Sequence, residues 1–225
     1  MAADKSKAGA LAEDLASAEP SFLRGLEACF AKTDLAWRLA QIPKHYAVRG
    51  VFMNMLDERA AELGAESQAA YADFFGVTKF SQIRLYSVKD YLIRLVKLSE
   101  LHFGADRIHE GLFEIQAAAF PAWRRSLPGR MTFAVLGSNC DAILRMTNLG
   151  MSAAINHGTC VITSTGPGTY TAAFRDQPNF IEHAMAGALV GVARSCGLTA
   201  TAQARMIDAF NGDILLTIGE PEAPK

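Results

Sequence analysis

Closely spaced cysteines are absent from this chain. The four cysteines are Cys29, Cys140, Cys160 and Cys196, and no two of them form a CxxC pair. This spacing excludes a zinc ribbon and the disulfide framework of a small secreted domain. We therefore expect four free thiols.

Long apolar runs are also missing. The longest one covers ten residues, Ala184 to Ala193, whereas a helix that crosses a membrane needs about 20. The N-terminus lacks the basic and then apolar pattern of a secretory signal. We expect a cytoplasmic protein without a transmembrane segment.

Neither sign of charge is in excess. The chain has 22 Lys plus Arg and 23 Asp plus Glu, which removes the electrostatic footprint of a nucleic-acid binder. Half of its 225 residues are hydrophobic, too many for a disordered regulator. The composition predicts a globular protein with a sizeable core and no nucleic-acid partner.

The signatures of common catalytic and nucleotide sites are missing as well. The chain has no GxxxxGK[ST], GxGxxG or GxSxG motif, and its histidines form neither HxxxH nor HExxH. No nucleophile, base and orienting group can be assembled, so we expect no enzymatic activity and no metal site. His102, which ends an apolar helix, is kept as one candidate haem ligand. Asp57, Glu58 and Glu62 are interpreted as one solvated helix face.

Helical periodicity dominates the first two thirds of the chain. Residues 1–20 are interpreted as a flexible tail, residues 21–219 as a single α+β domain without an internal linker, and residues 220–225 as a flexible C-terminus. A helix is predicted from Ser87, which precedes Asp90 by three residues as in a capping box. The other predicted helices are Phe22–Ile42, His45–Leu63, Ala69–Phe75, Ala105–Trp123 with a kink or stop near Pro121, Arg130–Leu136 and Cys140–His157.

At Gly158 the apolar period changes from about 3.6 residues to about 2. Two hairpins are predicted, Thr159–Thr163 with Thr169–Arg175 around a Gly-Pro-Gly turn, and Thr201–Ile207 with Ile214–Ile218 around Asn211-Gly212. Isolated hairpins are marginal in water, so the two should pair. The predicted fold is α+β, with N-terminal helices packed on a four-stranded antiparallel sheet made of two C-terminal hairpins separated by a helix.

The helix between the hairpins, Asn179–Cys196, contains Gly187 and Gly191. Glycine inside a helix costs about 0.5 to 1 kcal/mol relative to alanine, so a compensating reason is needed. Close backbone packing or room for a ligand would supply it. We assign both glycines to close packing.

Four segments carry a resemblance to a known family. They are VRGVFMNML (Val48–Leu56), YSVKDYLIRLVKLSELHFG (Tyr86–Gly104), HGTCVITSTGPG (His157–Gly168) and MAGALVGVARSCGL (Met185–Leu198). They resemble a myxobacterial paralogous family of unknown function with about 200 residues. The resemblance covers residues 21–219 and rests on hydrophobic and glycine patterns.

The order of hairpin, glycine-bearing helix and hairpin is also similar to three ligand-binding folds. These are the four-vinyl reductase domain, the Bet3 subunits of the TRAPP complex and the haem nitric-oxide-binding domain. The resemblance implies a cavity for hydrophobic ligands, acyl chains or haem. The haem-binding relatives carry a Tyr-x-Ser-x-Arg motif, whereas this chain has Tyr86-Ser87-Val88 and Tyr170-Thr171-Ala172. The cysteines that hold zinc in the last hairpin of the reductase type are also absent.

These observations predict a non-enzymatic sensor or adaptor domain. It would bind a hydrophobic small molecule or acyl chain, signal through another protein and form a homodimer. A pure protein-interaction module with a filled core, of the GTPase, polarity or trafficking type, and a haem-based gas sensor are the alternatives. The predicted ligand-binding residues are Val51, Phe52, Met55, Tyr91, Leu95, Val96, His183, Met185, Leu189 and Val192.

Overall fold

The computed structural model describes residues 25–76, 79–133, 137 and 139–221. These residues belong to two compact units that divide between Ile108 and His109. The described helices include none that is long and apolar enough to span a membrane.

Unit 1 is mainly helical. Its elements are α1 (Glu27–Lys32), α2 (Leu35–Gln41), β1 (Ala47–Arg49), α3 (Gly50–Glu62), α4 (Ala65–Phe75), β2 (Leu85–Ser87), α5 (Val88–Phe103) and a 3₁₀ turn (Ala105–Arg107). The helix predicted from His45 therefore begins five residues later. Ala47 to Arg49 pair with β2 instead, and the Gly50 N–H donates to the Arg84 carbonyl at 2.9 Å.

Helix α5 lies at the centre of unit 1. The predicted cap is confirmed, because the Ser87 hydroxyl accepts from the Lys89 N–H at 3.2 Å. From Val88 to Ser99 every residue except Lys89 and Lys97 is buried. A helix buried on nearly all sides is typical of a core that other helices surround.

Unit 2 contains the remaining helices and the main sheet. Its elements are α6 (Ile108–Ala117), α7 (Ala119–Arg125), α8 (Leu127–Phe133), α9 (Cys140–Arg145), α10 (Thr147–Ala154), β3 (Thr159–Gly166), β4 (Thr169–Arg175), a π-helix (Ile181–Met185), α11 (Ala186–Ser195), β5 (Leu198–Met206) and β6 (Gly212–Pro221). Residues 134–136 of the helix predicted at Arg130–Leu136 lie outside the described residues.

Two predicted helices of unit 2 are divided. The segment Ala105–Trp123 breaks at Ala118 rather than at Pro121, because Pro121 occupies the first turn of α7, where a missing N–H costs little. The segment Cys140–His157 breaks at Met146, which lies between α9 and α10 and caps both helices.

The sheet of unit 2 confirms the predicted fold. Its strand order is β3-β4-β6-β5, all pairs are antiparallel, and the two hairpins join through β4 and β6 with Ala172 opposite Ile214. Its buried face carries Cys160, Ala172, Phe174, Ile214 and Leu216. Helix α11 packs against β5 and β6.

The second hairpin turns differently from the prediction. Asn211 has no positive φ, so Asn211-Gly212 does not form a tight two-residue turn. The loop runs from Ile207 to Asn211 and is closed by the Asp208 carboxylate, which accepts from the N–H groups of Phe210 (2.8 Å) and Asn211 (2.9 Å). The Asp208 carboxylate therefore closes this loop, and the left-handed backbone that a tight Asn-Gly turn requires is not needed.

Candidate functional site

The connection from β4 to α11, defined as Asp176–Met185, contains two strained residues. Within the described ranges, Asp176 (φ 55°) and Phe180 (φ 35°) are the non-glycine residues with positive φ. Aspartate tolerates this region, but for a bulky residue such as phenylalanine it is an outlier. Backbone strain of this kind costs about 1 to 3 kcal/mol and clusters at ligand sites and switches.

A π-helix follows directly. The Phe180 carbonyl accepts from three consecutive N–H groups, those of His183 (3.0 Å), Ala184 (2.7 Å) and Met185 (3.3 Å). The wider turn inserts one extra residue before α11 begins, and such turns are frequent at functional sites.

Two buried amide side chains flank Pro178 in the same connection. Gln177 is 0% and Asn179 6% exposed. The Gln177 Oε1 accepts from the Asn179 N–H at 3.3 Å. Gln177 Nε2 and Asn179 Oδ1 are buried and have no hydrogen-bond partner among the described residues. A buried polar atom without a partner costs about 1 to 3 kcal/mol, so this pair offers one donor and one acceptor to a further molecule.

Four predicted ligand-binding residues lie in unit 2, and the structure brings two of them to this connection. The His183 ring stacks on that of His109, with centroids 4.3 Å apart and planes at 17°. Met185 ends the π-helix and is buried. Leu189 and Val192 are buried in the following turns of α11.

The two glycines of α11 face the backbone of α6. A Cβ atom on Gly187 would lie 2.1 Å from the Phe113 carbonyl oxygen, and one on Gly191 would lie 2.1 Å from that of Ala117. Further along, Arg194 pairs with Glu114 at 2.9 Å. The backbones of the two helices thus touch, and no side chain separates them.

The other predicted ligand-binding residues belong to unit 1. Five of them are buried in the core around α3 and α5, namely Val51, Met55, Tyr91, Leu95 and Val96, and Phe52 is half-buried. Contact between these side chains and a ligand stays a prediction.

Unit 1 also holds a buried arginine that the sequence analysis did not single out. Arg94 is 4% exposed, and its guanidinium carbon lies 4.4 Å from the Phe75 ring centroid and 5.1 Å from that of Phe80. Its Nη1 lies 3.4 Å from the Tyr71 hydroxyl and 3.6 Å from Asp57 Oδ1. Aromatic faces and a loose ion pair together accommodate the charge.

Two carboxyl groups near Arg94 have raised pKa values. Burial raises the pKa of Asp90 to about 7, although Arg94 opposes the shift. Burial likewise raises the pKa of Asp57 to about 6, against Arg94 and the Tyr71 hydroxyl. The interpretation of Asp57 as part of a solvated face is wrong, because its side chain is only 34% exposed.

The missed residues differ in how visible they are in the sequence. Asp90 and Arg94 are spaced by four within an otherwise apolar stretch, a pattern that indicates a buried charged pair on one helix face. Gln177 and Asn179 carry no such signal, because polar residues around a proline are typical of an exposed turn.

The predicted haem ligand does not fit a haem site. His102 is exposed in the last turn of α5, with its ring edge-on to Phe103. An axial ligand has to point into the apolar pocket that encloses the macrocycle. The tyrosines of the two motif-like segments are also engaged, since Tyr86 accepts from the Ser81 N–H and Tyr170 donates to Asp141. The described residues contain no group of three or more His, Cys, Asp or Glu placed to hold a metal ion.

Solved structures with the same fold are H-NOX proteins. One from S. oneidensis, in the Fe(II)NO ligation state, has a TM-score of 0.59 and 9% identity over 76% of this chain and 99% of that one. One from K. algicida, Fe(II) unliganded, has a TM-score of 0.54 and 14% identity over 79% and 100%. A point mutant of the H-NOX from T. tengcongensis has a TM-score of 0.57 and 10% identity over 77% and 98%. At these identities the likeness concerns the fold, and it confirms the predicted resemblance to the haem nitric-oxide-binding domain.

A match over most of the sequence shows which protein family the chain belongs to. No curated protein matches the chain. Residues 41–211 match the family described as "Protein of unknown function (DUF2378)". That range covers well over half of the chain and confirms the expected relation to a family of unknown function. The chain therefore belongs to the DUF2378 family and has the fold of H-NOX proteins.

Proposed function

We propose that this protein is a non-enzymatic sensor domain that binds a hydrophobic small molecule or acyl chain at the β4–α11 connection and signals through a protein partner. The observation that carries the proposal is the pair of unpartnered buried amide atoms, Gln177 Nε2 and Asn179 Oδ1. The H-NOX fold supports a sensor role.

The chemistry of the connection narrows the ligand class. One free donor and one free acceptor match an uncharged group that does both, such as a hydroxyl, a primary amide or a protonated carboxylic acid. The apolar body of the ligand would lie against Met185, with Leu189 and Val192 further along. Satisfying both amides would offset the cost of the two unpartnered atoms.

The π-helix gives the ligand a route to the rest of unit 2. Because a π-turn holds one extra residue, returning it to α-helical pairing would rotate and shift α11. Helix α11 contacts α6 through Gly187 and Gly191 and packs on β5 and β6. A shift of α11 would therefore change surfaces that a partner protein can detect.

The test combines thermal unfolding with native mass spectrometry. Wild type and Gln177→Leu are titrated with lauric acid, lauramide, lauryl alcohol and hemin. A ligand at 100 times its Kd stabilises the native state by about 2.7 kcal/mol, which raises Tm by roughly 5 to 10 °C for a chain of this size. We expect a rise with lauramide or lauryl alcohol in the wild type and none in Gln177→Leu. In the same experiment, the native mass spectra test whether the protein forms the homodimer that we expect.

The variant's own stability separates a binding role from a structural one. Leucine removes a buried donor that lacks a partner, but it also removes the Oε1 acceptor of the Asn179 N–H. Because these two changes oppose each other, ligand-free Gln177→Leu should melt close to the wild-type temperature. Gln116→Leu, at another buried glutamine, is the matched control and should keep the ligand shift. The proposal fails if no lauryl compound shifts the wild type, or if Gln177→Leu shifts equally. A rise in Tm with hemin alone would favour the haem-based gas sensor. If no compound changes the Tm, the result would favour the protein-interaction module.

A further inference from the structure

Two of the four cysteines meet inside unit 2. Cys140 is the first residue of α9 and is buried, and Cys196 follows the last residue of α11 and is half-buried. Helices α9 and α11 pack against each other. Cys196 is near enough to Cys140 to raise the pKa of the Cys140 thiol through its charge and a hydrogen bond, and Cys196 Sγ lies 4.0 Å from Ser195 Oγ.

The remaining cysteines have different surroundings. The Cys29 thiol donates to Glu100 Oε2 at 3.2 Å. Cys160 is fully buried on the inner face of β3. Neither environment combines a partner thiol with access to solvent, which sets the pair Cys140 and Cys196 apart.

We propose that Cys140 and Cys196 form a reversible disulfide when a hydroperoxide oxidises the protein. The bond would join the start of α9 to the end of α11. In a reducing compartment such a bond forms transiently and reports on oxidants, whereas a permanent structural disulfide is rare.

The chemistry proceeds in two balanced steps. The Cys196 sulfur, the more accessible of the two, attacks the distal oxygen of the hydroperoxide, so that the O–O bond breaks and a sulfenic acid and an alcohol form (water, in the case of hydrogen peroxide). The Cys140 sulfur then attacks the Cys196 sulfur, an S–S bond forms and water leaves. Both sulfurs are oxidised, and the peroxide is reduced.

The order of the two steps follows from burial. Burial and the neighbouring Cys196 raise the pKa of Cys140 to about 12, so that its thiolate is scarce at neutral pH. A thiol of this kind is a poor first nucleophile for a peroxide in solution. It is still adjacent to the sulfenic acid once that group has formed, and proximity compensates for its low thiolate fraction.

The experiment uses the reduced full-length protein. It is treated with hydrogen peroxide, alkylated while folded and digested without reductant. We expect a linked peptide that contains Cys140 and Cys196, lighter than the two separate peptides by the mass of two hydrogen atoms. Dithiothreitol should restore both thiols.

Variants identify the attacking sulfur. Cys140→Ser should stop at a Cys196 sulfenic acid that dimedone traps, Cys196→Ser should form no linked peptide, and Cys160→Ser should behave as wild type. The wild-type result does not depend on any variant folding. The proposal is overturned if oxidation leaves both thiols free, if Cys196 proceeds to sulfinic acid without a linked peptide, or if the disulfide joins two chains.

Discussion

A Cβ atom on Gly187 would overlap the carbonyl oxygen of Phe113, at a distance of 2.1 Å. Gly187→Ala therefore forces α6 and α11 apart, a form of overpacking that costs about 1 to 3 kcal/mol or more. Alanine's better helix propensity returns only about 0.5 to 1 kcal/mol. We expect a net loss in the free energy of unfolding, measured by urea denaturation.

Gly166→Ala is the matched control for this substitution. No atom lies within 4 Å of its Cβ position, so its stability should stay within about 0.5 kcal/mol of the wild type. If Gly187→Ala is as stable as Gly166→Ala, α6 and α11 are not in the close contact described.

Asp90 should make the protein less stable as the pH rises. Its pKa is raised from 3.8 to about 7 in the folded state. The folded state therefore holds the proton more tightly, and the free energy of unfolding falls between about pH 4 and pH 7, by about 1.4 kcal/mol for each unit of pKa shift. Asp90→Asn should flatten this decline, as followed by urea denaturation at a series of pH values.

The exposed residue Glu66 provides the baseline for this measurement. Glu66→Gln should reproduce the wild-type pH profile. Because the pKa of Asp57 is also raised, the free energy of unfolding should still fall slightly toward pH 6 in the wild type and in both variants. A wild-type profile that rises between pH 4 and pH 7 would contradict the assignment of Asp90 as a buried carboxyl with a raised pKa.

The positive φ of Asp176 predicts a clear order of tolerated residues. Glycine enters this region without strain, whereas a β-branched residue is a strong outlier there. Both variants lack the carboxylate, so their difference isolates the backbone, and Asp176→Val should be less stable than Asp176→Gly by at least about 1 kcal/mol. The backbone N–H of residue 176 can donate to Asn211 in both variants. Equal denaturation midpoints for the two would show that residue 176 does not adopt this conformation.

Haem binding through His102 is expected to fail. The side chain is exposed and cannot reach into an apolar pocket without unwinding the end of α5. Hemin titration followed by absorbance should show no Soret band that depends on this residue, so wild type and His102→Ala should give the same spectra. A stable band that disappears in His102→Ala would reverse this conclusion.

The two tryptophans test whether residues 21–219 unfold as a single domain. Trp37 lies in unit 1 and Trp123 in unit 2. Trp37→Phe and Trp123→Phe each leave one fluorescent reporter, and we expect their urea transitions to coincide with the loss of helical circular dichroism. Separate transitions would mean that the units unfold independently.

Local signals in the sequence located most of the fold. The change of apolar period at Gly158 indicated β3 and β4, and Ser87 indicated the start of α5. The errors in predicted secondary structure occurred where pairing with a segment distant in the sequence overrides the local helical pattern. Ala47 to Arg49 continue an apolar helical pattern but pair with β2.

The candidate site was only partly predictable. His183 was selected as a polar group that could give ligand specificity and Met185 as part of an inner helix face, and both lie in the π-helix of the β4–α11 connection. Gln177 and Asn179 resemble an exposed turn, and their burial depends on contacts such as the 2.8 Å bond from the Gln177 N–H to the Phe210 carbonyl. That contact joins residues far apart in the chain, which periodicity does not report.

The sequence by itself determined the order of the elements, the strand pairing within each hairpin and the apolar character of α5 and α11. These properties depend on residues within a few positions of one another. The tertiary structure alone decided which polar groups are buried and what surrounds them: Arg94 is enclosed by Phe75 and Phe80, and Cys140 meets Cys196. Burial and contact are properties of distant segments brought together, because desolvation and packing act between whatever atoms the fold makes neighbours.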